Sequence, residues 1–184
     1  MKILFLYPNA GSQLGFNYGI AHLSAVLKQA GHDVALWQLC DDIEPLPSKE
    51  QFIARLRREA ADIIGFSVVT NQWPYAKKLA AWAREATEVP LVCGGIHTMA
   101  AAEEILQSQT FDFIIRGEAE EPILLLHPLD IQRRVDGAPM GLVLFLNQFI
   151  PGFIALTADA VVSRVGPLIK VALGLYPPDH LLWH

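Results

Sequence analysis

Five short apolar runs, each followed by a longer segment of helical spacing, constrain this chain more than any other feature it has. The runs are Ile3–Tyr7, Val34–Leu39, Ile63–Val69, Leu91–Cys93 and Phe111–Ile115. They are rich in β-branched residues and nearly continuous in apolarity. A strand covered by helices on both faces reads this way, whereas a strand with one wet face alternates. Repetition of strand and helix from residue 2 to 115 therefore predicts βα units and a mainly parallel sheet.

The intervening segments carry helix punctuation. Ile20, Leu23 and Leu27 share one face of a first helix, and Gly31 is placed to close it in the left-handed conformation. Ser48 with Gln51 predicts a capping box for a second helix that turns Phe52 and Leu56 inward and Arg55 and Arg58 to water. Pro74 suits the first turn of a third helix carrying Leu79 and Ala83, and Pro90 blocks its continuation. Thr98 is expected to cap a fourth helix running through Glu103, Glu104 and Leu106. The predicted fold class is α/β, a flavodoxin-like (Rossmann-type) open parallel five-stranded sheet with helices on both faces. In such sheets ligands bind beyond the carboxyl ends of the strands, so the loops that follow the strands hold the candidate site.

Composition sets the limits. The 184 residues are 52% apolar and 18% charged, which excludes a disordered chain or a coiled coil. A net charge of −5 without a basic run argues against a nucleic-acid partner. Two cysteines, Cys40 and Cys93, are too few for a disulfide framework or for an iron–sulfur cluster held by this chain, and a reduced cytoplasmic setting is the simplest expectation. The first apolar run ends at Pro8, too short for the core of a signal peptide. Composition changes after Leu126: from His127 onward there is no Glu, and residues 137–158 carry no charge. The expected division is a domain over residues 1–126 and an atypical apolar tail over 127–184.

After the first strand comes a long loop with Gly11, Gly15 and Gly19, where the backbone around Asn9, Ala10 and Gly11 can approach a ligand and offer amides, or simply turn. Its spacing matches neither a dinucleotide fingerprint nor a phosphate loop. After the third strand, Ser67 and Val68 lead to Thr70 and Asn71. Small hydroxyl groups there either bind a ligand or cap the next helix. After the fourth strand, Gly94 and Gly95 clear space for something flat or bulky, followed by His97, which by itself is more often a loop residue than a ligand. After the fifth strand, Arg116, Gly117 and Glu118 precede Glu120 and Glu121, carboxylates that suit the start of a fifth helix. A phospho-acceptor domain needs an acidic pair after the first strand, Asp after the third and Lys after the fifth. Those places hold Pro8-Asn9, Ser67 and Arg116. A flavin phosphate loop rich in Ser and Thr is also missing, since Asn9 to Gly15 offers one Ser.

In order, KILFLYPN, Tyr18-Gly19-Ile20 leading into HLSAVLKQAGHDV, DIIGFSVVT, PLVCGGIHTMAAAEEIL and FDFIIRGEAEEP resemble the amino-terminal cobalamin-binding domain of the cobalamin-dependent radical S-adenosylmethionine enzymes. The likeness covers residues 1–126 and is most specific at Gly-Gly-x-His and the later Arg-Gly-Glu. It implies a cobalamin (cobalt corrinoid) cofactor held by Asn9, Ala10, Gly11, Ser67, Val68, Gly94, Gly95, His97, Gly117 and Glu118. Two features depart from the family. The Asp-x-His-x-x-Gly motif that supplies a histidine to cobalt is missing from the first loop, where His22 stands alone inside the helix. The Cys-x-x-x-Cys-x-x-Cys motif of the catalytic half is missing as well.

The resemblance therefore implies a binding module without catalysis of its own, truncated or altered after residue 126, with a separate radical S-adenosylmethionine protein as a possible catalytic partner. The alternative is a small-molecule-binding flavodoxin-like domain, attached to a membrane through the uncharged tail. Asn147, Gln148, Pro151 and Gly152 at the centre of that tail argue against a membrane span.

Overall fold

A computed structural model describes residues 1–12, 14–117, 119 and 123, together with the backbone of 142–146. The strands are β1 (Lys2–Pro8), β2 (Asp33–Leu39), β3 (Ile63–Ser67), β4 (Leu91–Gly94), β5 (Phe113–Gly117) and β6 (Leu142–Leu146). The helices are α1 (Tyr18–Gln29), α2 (Lys49–Glu59), α3 (Trp73–Ala86) and α4 (Ile96–Gln107), with a 3-10 turn at Thr70–Gln72 ahead of α3. The strands form one parallel sheet in the order β2-β1-β3-β4-β5-β6. All five expected strands are present. A sixth, β6, pairs with β5 from Phe113 opposite Leu142 to Gly117 opposite Leu146. It comes from the uncharged run after residue 126, where a short apolar stretch shows no period that separates a strand from a buried helix.

Helix ends follow their local chemistry. Asn17 caps α1 by accepting the Ile20 N–H at 2.9 Å. At its other end Gly31, at φ +86°, and His32 donate to Lys28 O and Leu27 O, each at 3.0 Å, a Schellman closure that needs the left-handed residue. The Ser48–Gln51 capping box is present on α2. Thr98 does not cap α4. Gly95 stands at the cap, and Thr98 lies inside the first turn with its hydroxyl shared between Gly95 O and Ile115 O, at 2.8 and 2.9 Å, which ties α4 to β5. Neither Thr70 nor Asn71 caps α3, because both sit within the 3-10 turn.

The strand β5 begins two residues later than its apolar run suggests. Phe111 leaves the ladder to pack edge-on against Phe66, ring centroids 5.2 Å apart, in the core beneath α3. Asp112 then accepts the Leu91 N–H at 2.7 Å and pairs with Arg84 of α3. Ending the turn there moves Arg116 and Gly117 onto the strand.

The sheet divides two apolar cores. One holds Leu4, Leu6, Trp37, Phe66 and Cys93 against Phe52 and Leu56 of α2, Leu79 and Ala83 of α3, and Ile105 of α4. The other holds Ile3, Phe5, Ile63, Val92, Phe113 and Ile115 against Ile20 and Leu27 of α1 and Ile123. Among the described residues no helix is long and apolar enough to cross a membrane.

Candidate functional site

Strand order reverses direction beside β1, whose neighbours are β2 on one side and β3 on the other. In an open α/β sheet ligands usually bind near such a switch in strand order, beyond the carboxyl ends of the strands. A cleft with about 660 Å³ of empty space, including its open mouth, lies there on the α1 face. Phe5, Ile20, Leu23, Val92, Ile115 and Ile123 form apolar walls, Gly19, Ser67, Gly94, Gly117 and Ala119 keep it open, and Phe66 and Gly95 also border it. A few polar groups set among apolar walls is the lining typical of a small-molecule site.

Four of the residues singled out from sequence, Ser67, Gly94, Gly95 and Gly117, meet at this cleft. The Ser67 hydroxyl is held by Asn17, whose Nδ2 donates to it at 3.1 Å while its Oδ1 caps α1. At Gly94 an added Cβ would stand 3.8 Å from Phe66 O, an ordinary contact. Gly95 differs. Its φ is +92°, and an added Cβ would lie 2.6 Å from both the nitrogen and the oxygen of Val68. That close approach lets Val68 N–H donate to Gly94 O at 2.9 Å and His97 N–H donate to Val68 O at 3.0 Å, joining the loops after β3 and β4. The empty space at Gly95 is filled by backbone.

The other expected residues lie elsewhere. Val68 is fully buried in the core on the α2 and α3 side. Asn9 is buried, with Nδ2 3.6 Å from the Cys40 sulfur. The amides of the β1–α1 loop are already engaged: Ala10 N–H on Gln72 Oε1 at 3.0 Å, Gly11 N–H on Asp41 at 2.8 Å and Leu14 N–H on Asp42 at 3.1 Å. Arg116 donates to Met99 O at 3.2 Å. Glu118 and the fifth helix expected after it lie outside the described residues, apart from the helical bond from Ile123 N–H to Ala119 O at 3.0 Å.

His97 is 2% exposed and faces Trp73, ring centroids 4.9 Å apart, with neither ring nitrogen partnered among the described residues. Burial holds its pKa below the usual 6.5, with the Glu104 carboxylate opposing, so it is neutral at pH 7. Glu104 also accepts the Trp73 Nε1–H at 2.5 Å. Burial pushes the Cys93 thiol up to about 12, which leaves it protonated and inert. Asn17 went unrecognised in the sequence as a site residue. The signal available was a cap residue three positions before Ile20 at the start of an amphipathic run.

The lining suits the apolar part of a ligand that also carries amides or hydroxyls: its walls are hydrocarbon, and the Ser67 hydroxyl and glycine backbone stand at its edge. The B12 binding domain family matches residues 12–126, and the chain belongs to that family. None of the curated proteins matches the chain. Among solved structures it is similar to the radical S-adenosylmethionine methyltransferase TsrM from Kitasatospora setae, in one structure with tryptophan substrate and the analogue aza-SAM bound, in another with cobalamin and a 4Fe–4S cluster bound. Each likeness has a TM-score of 0.62 at 16% identity and covers 72% of this chain. The chain spans about a quarter of either TsrM chain, 26% and 25%.

Proposed function

We propose that this domain binds cobalamin across the carboxyl edge of its sheet, with the nucleotide tail entering the cleft between sheet and α1. The observation that carries this reading is the cleft itself: β3, β4 and β5 end there in Ser67, Gly94 and Gly117 rather than in large side chains, and α1 leaves the gap open. Membership of the B12-binding family supports the same ligand. The Ser67 hydroxyl, oriented by Asn17, bonds a polar group of the tail, the glycines let the backbone come close, and the apolar walls exclude water. When bound, the corrinoid supplies cobalt-centred chemistry, and this chain's residues bind and orient it. None of the described histidines, His22, His32 and His97, lines the cleft, and no axial ligand from the β1–α1 loop is proposed.

Cys40 and Cys93 are both buried, so the reading places cluster chemistry and catalysis outside these 184 residues, with a radical S-adenosylmethionine protein as the partner in a reduced cytoplasm. The exposed Phe16 and Tyr18 near the carboxyl edge support an apolar contact there.

The test is to offer purified protein hydroxocobalamin, remove free ligand by gel filtration, and record the visible spectrum and cobalt content of the protein peak. Corrin bands and cobalt near equal stoichiometry are expected. A folded, colourless peak overturns the reading in favour of a domain for another small molecule.

A further inference from the structure

We propose that Gln72 is a positioning residue that sets the β1–α1 loop before any ligand arrives; its effect on affinity rests on the cobalamin reading above. Gln72 is a polar side chain only 4% exposed, on the 3-10 turn after β3. Its amide meets both backbone groups of Ala10: Oε1 accepts the Ala10 N–H at 3.0 Å, and Nε2 donates to Ala10 O at 2.9 Å. Nε2 also donates to Ser12 Oγ at 3.1 Å. The reverse orientation of the amide would set donor against donor, so the pairing fixes its sense.

This arrangement solves a problem created by the topology. On its β2 side β1 continues for one residue, with Asn9 N–H donating to Leu39 O at 2.9 Å. On the β3 side the ladder has ended, because the chain turns at Val68 toward α3. Ala10 would be left with unmatched polar groups, and the Gln72 side chain supplies the partner that a longer β3 would have supplied. Its burial away from solvent makes the bonds costly to break without replacement.

The loop so held leads through Leu14 and Phe16 to Tyr18, which are 59%, 70% and 78% exposed. Asn17 fastens its far end to Ser67. Gln72 and Ser67 thus anchor both ends of the loop to the segment ending β3, and a ligand entering the cleft meets an ordered rim. A pre-ordered rim saves the conformational entropy that binding would otherwise remove.

The experiment compares wild type with Gln72→Leu, which keeps the bulk and removes all three bonds. Amide hydrogen exchange is followed over the β1–α1 loop and, as an internal reference, over α2 and α3. Expected is a rise of about tenfold or more at Ala10, with α2 and α3 within about twofold of wild type, and a hydroxocobalamin Kd weakened about tenfold. Loop exchange equal to wild type overturns the proposal, as does an equal rise across α2 and α3, which would make Gln72 a general stability residue. A mobile loop with unchanged Kd overturns the link to binding. If Gln72→Leu does not fold, Gln72→Glu retains length and one acceptor while losing both donated bonds. It is expected to raise Ala10 exchange by a smaller factor, and wild-type exchange there overturns the proposal. Should wild type itself take up no hydroxocobalamin, the cobalamin reading fails, and the exchange comparison alone still decides whether Gln72 holds the loop.

Discussion

The two faces of the sheet are built from alternate residues of the same strands, yet one is filled and the other is left open. On the filled face, Trp37 stacks on Phe52 at 5.3 Å, Phe52 meets Trp82 at 5.9 Å, and Phe66, Phe111 and Trp73 continue the contact toward α4. Large rings interlock there with three helices. The open face has α1 as its described helix, and its Ile20 and Leu23 stop short of closing over the ends of β3, β4 and β5. Strand ends carrying Ser67, Gly94 and Gly117 cannot fill the remaining space. The larger, ring-rich core thus lies on one face and the open cleft on the other.

The largest expected effect that sharpens this contrast is on the filled face. Phe52→Ala should destabilise the domain by about 3–5 kcal/mol in urea unfolding, the range for a fully buried aromatic side chain, and leave the hydroxocobalamin affinity of the folded fraction unchanged. A small loss of stability would break the comparison. Gly95→Ala comes next, at about 2–4 kcal/mol, since the residue has positive φ and its Cβ meets Val68 backbone, which has no flexible end to move. That loss should appear in unfolding whether or not ligand is present.

Gly94→Val tests the open face. The added Cβ stands at an ordinary contact distance, so stability should change by less than about 1 kcal/mol, while bulk in the cleft lowers hydroxocobalamin affinity by about tenfold or more. A variant that binds as wild type would remove Gly94 from the site. The smallest effect concerns acid. The unfolded chain takes a proton at His97 near pH 6.5, whereas the folded protein, with the ring buried against Trp73, takes it only at lower pH. The unfolded state then binds more protons below 6.5, so the His97 contribution to stability is fully present above pH 6.5 and is lost as pH falls. Urea midpoints measured from pH 8 to 5 should be flat and then decline, with a shallower decline in His97→Phe. Parallel curves would exclude His97 as the cause.

Much of the fold was legible because its signals are local. The apolar runs of β1, β2 and β4, the Ser48–Gln51 box, Gly31 and Pro74 each act within a few residues and stand where the pattern placed them, while β3 stops at Ser67, two residues short of its run. Runs and caps were misread where a distant partner intervenes. Phe111 is apolar and could extend a strand, but the ring of Phe66 draws it into the core. Thr98 is a good cap residue, but its hydroxyl reaches Ile115 O.

For the site, sequence by itself determined which strand ends carry small or hydroxyl residues, and with them the family and its expected ligand. Tertiary structure alone decided which of those residues share a cleft. Ser67 and Val68 are adjacent, yet one lines the cleft and the other is sealed in the opposite core, because successive residues of extended chain point to opposite faces of a sheet. The free-looking amides of Ala10 and Gly11 are occupied by Gln72 and Asp41, 62 and 30 residues away. Local propensity acts through backbone torsion and neighbouring hydrogen bonds, and so reads directly from order along the chain. The partner of a buried polar group is set by packing between segments, which exists only once the chain has closed on itself.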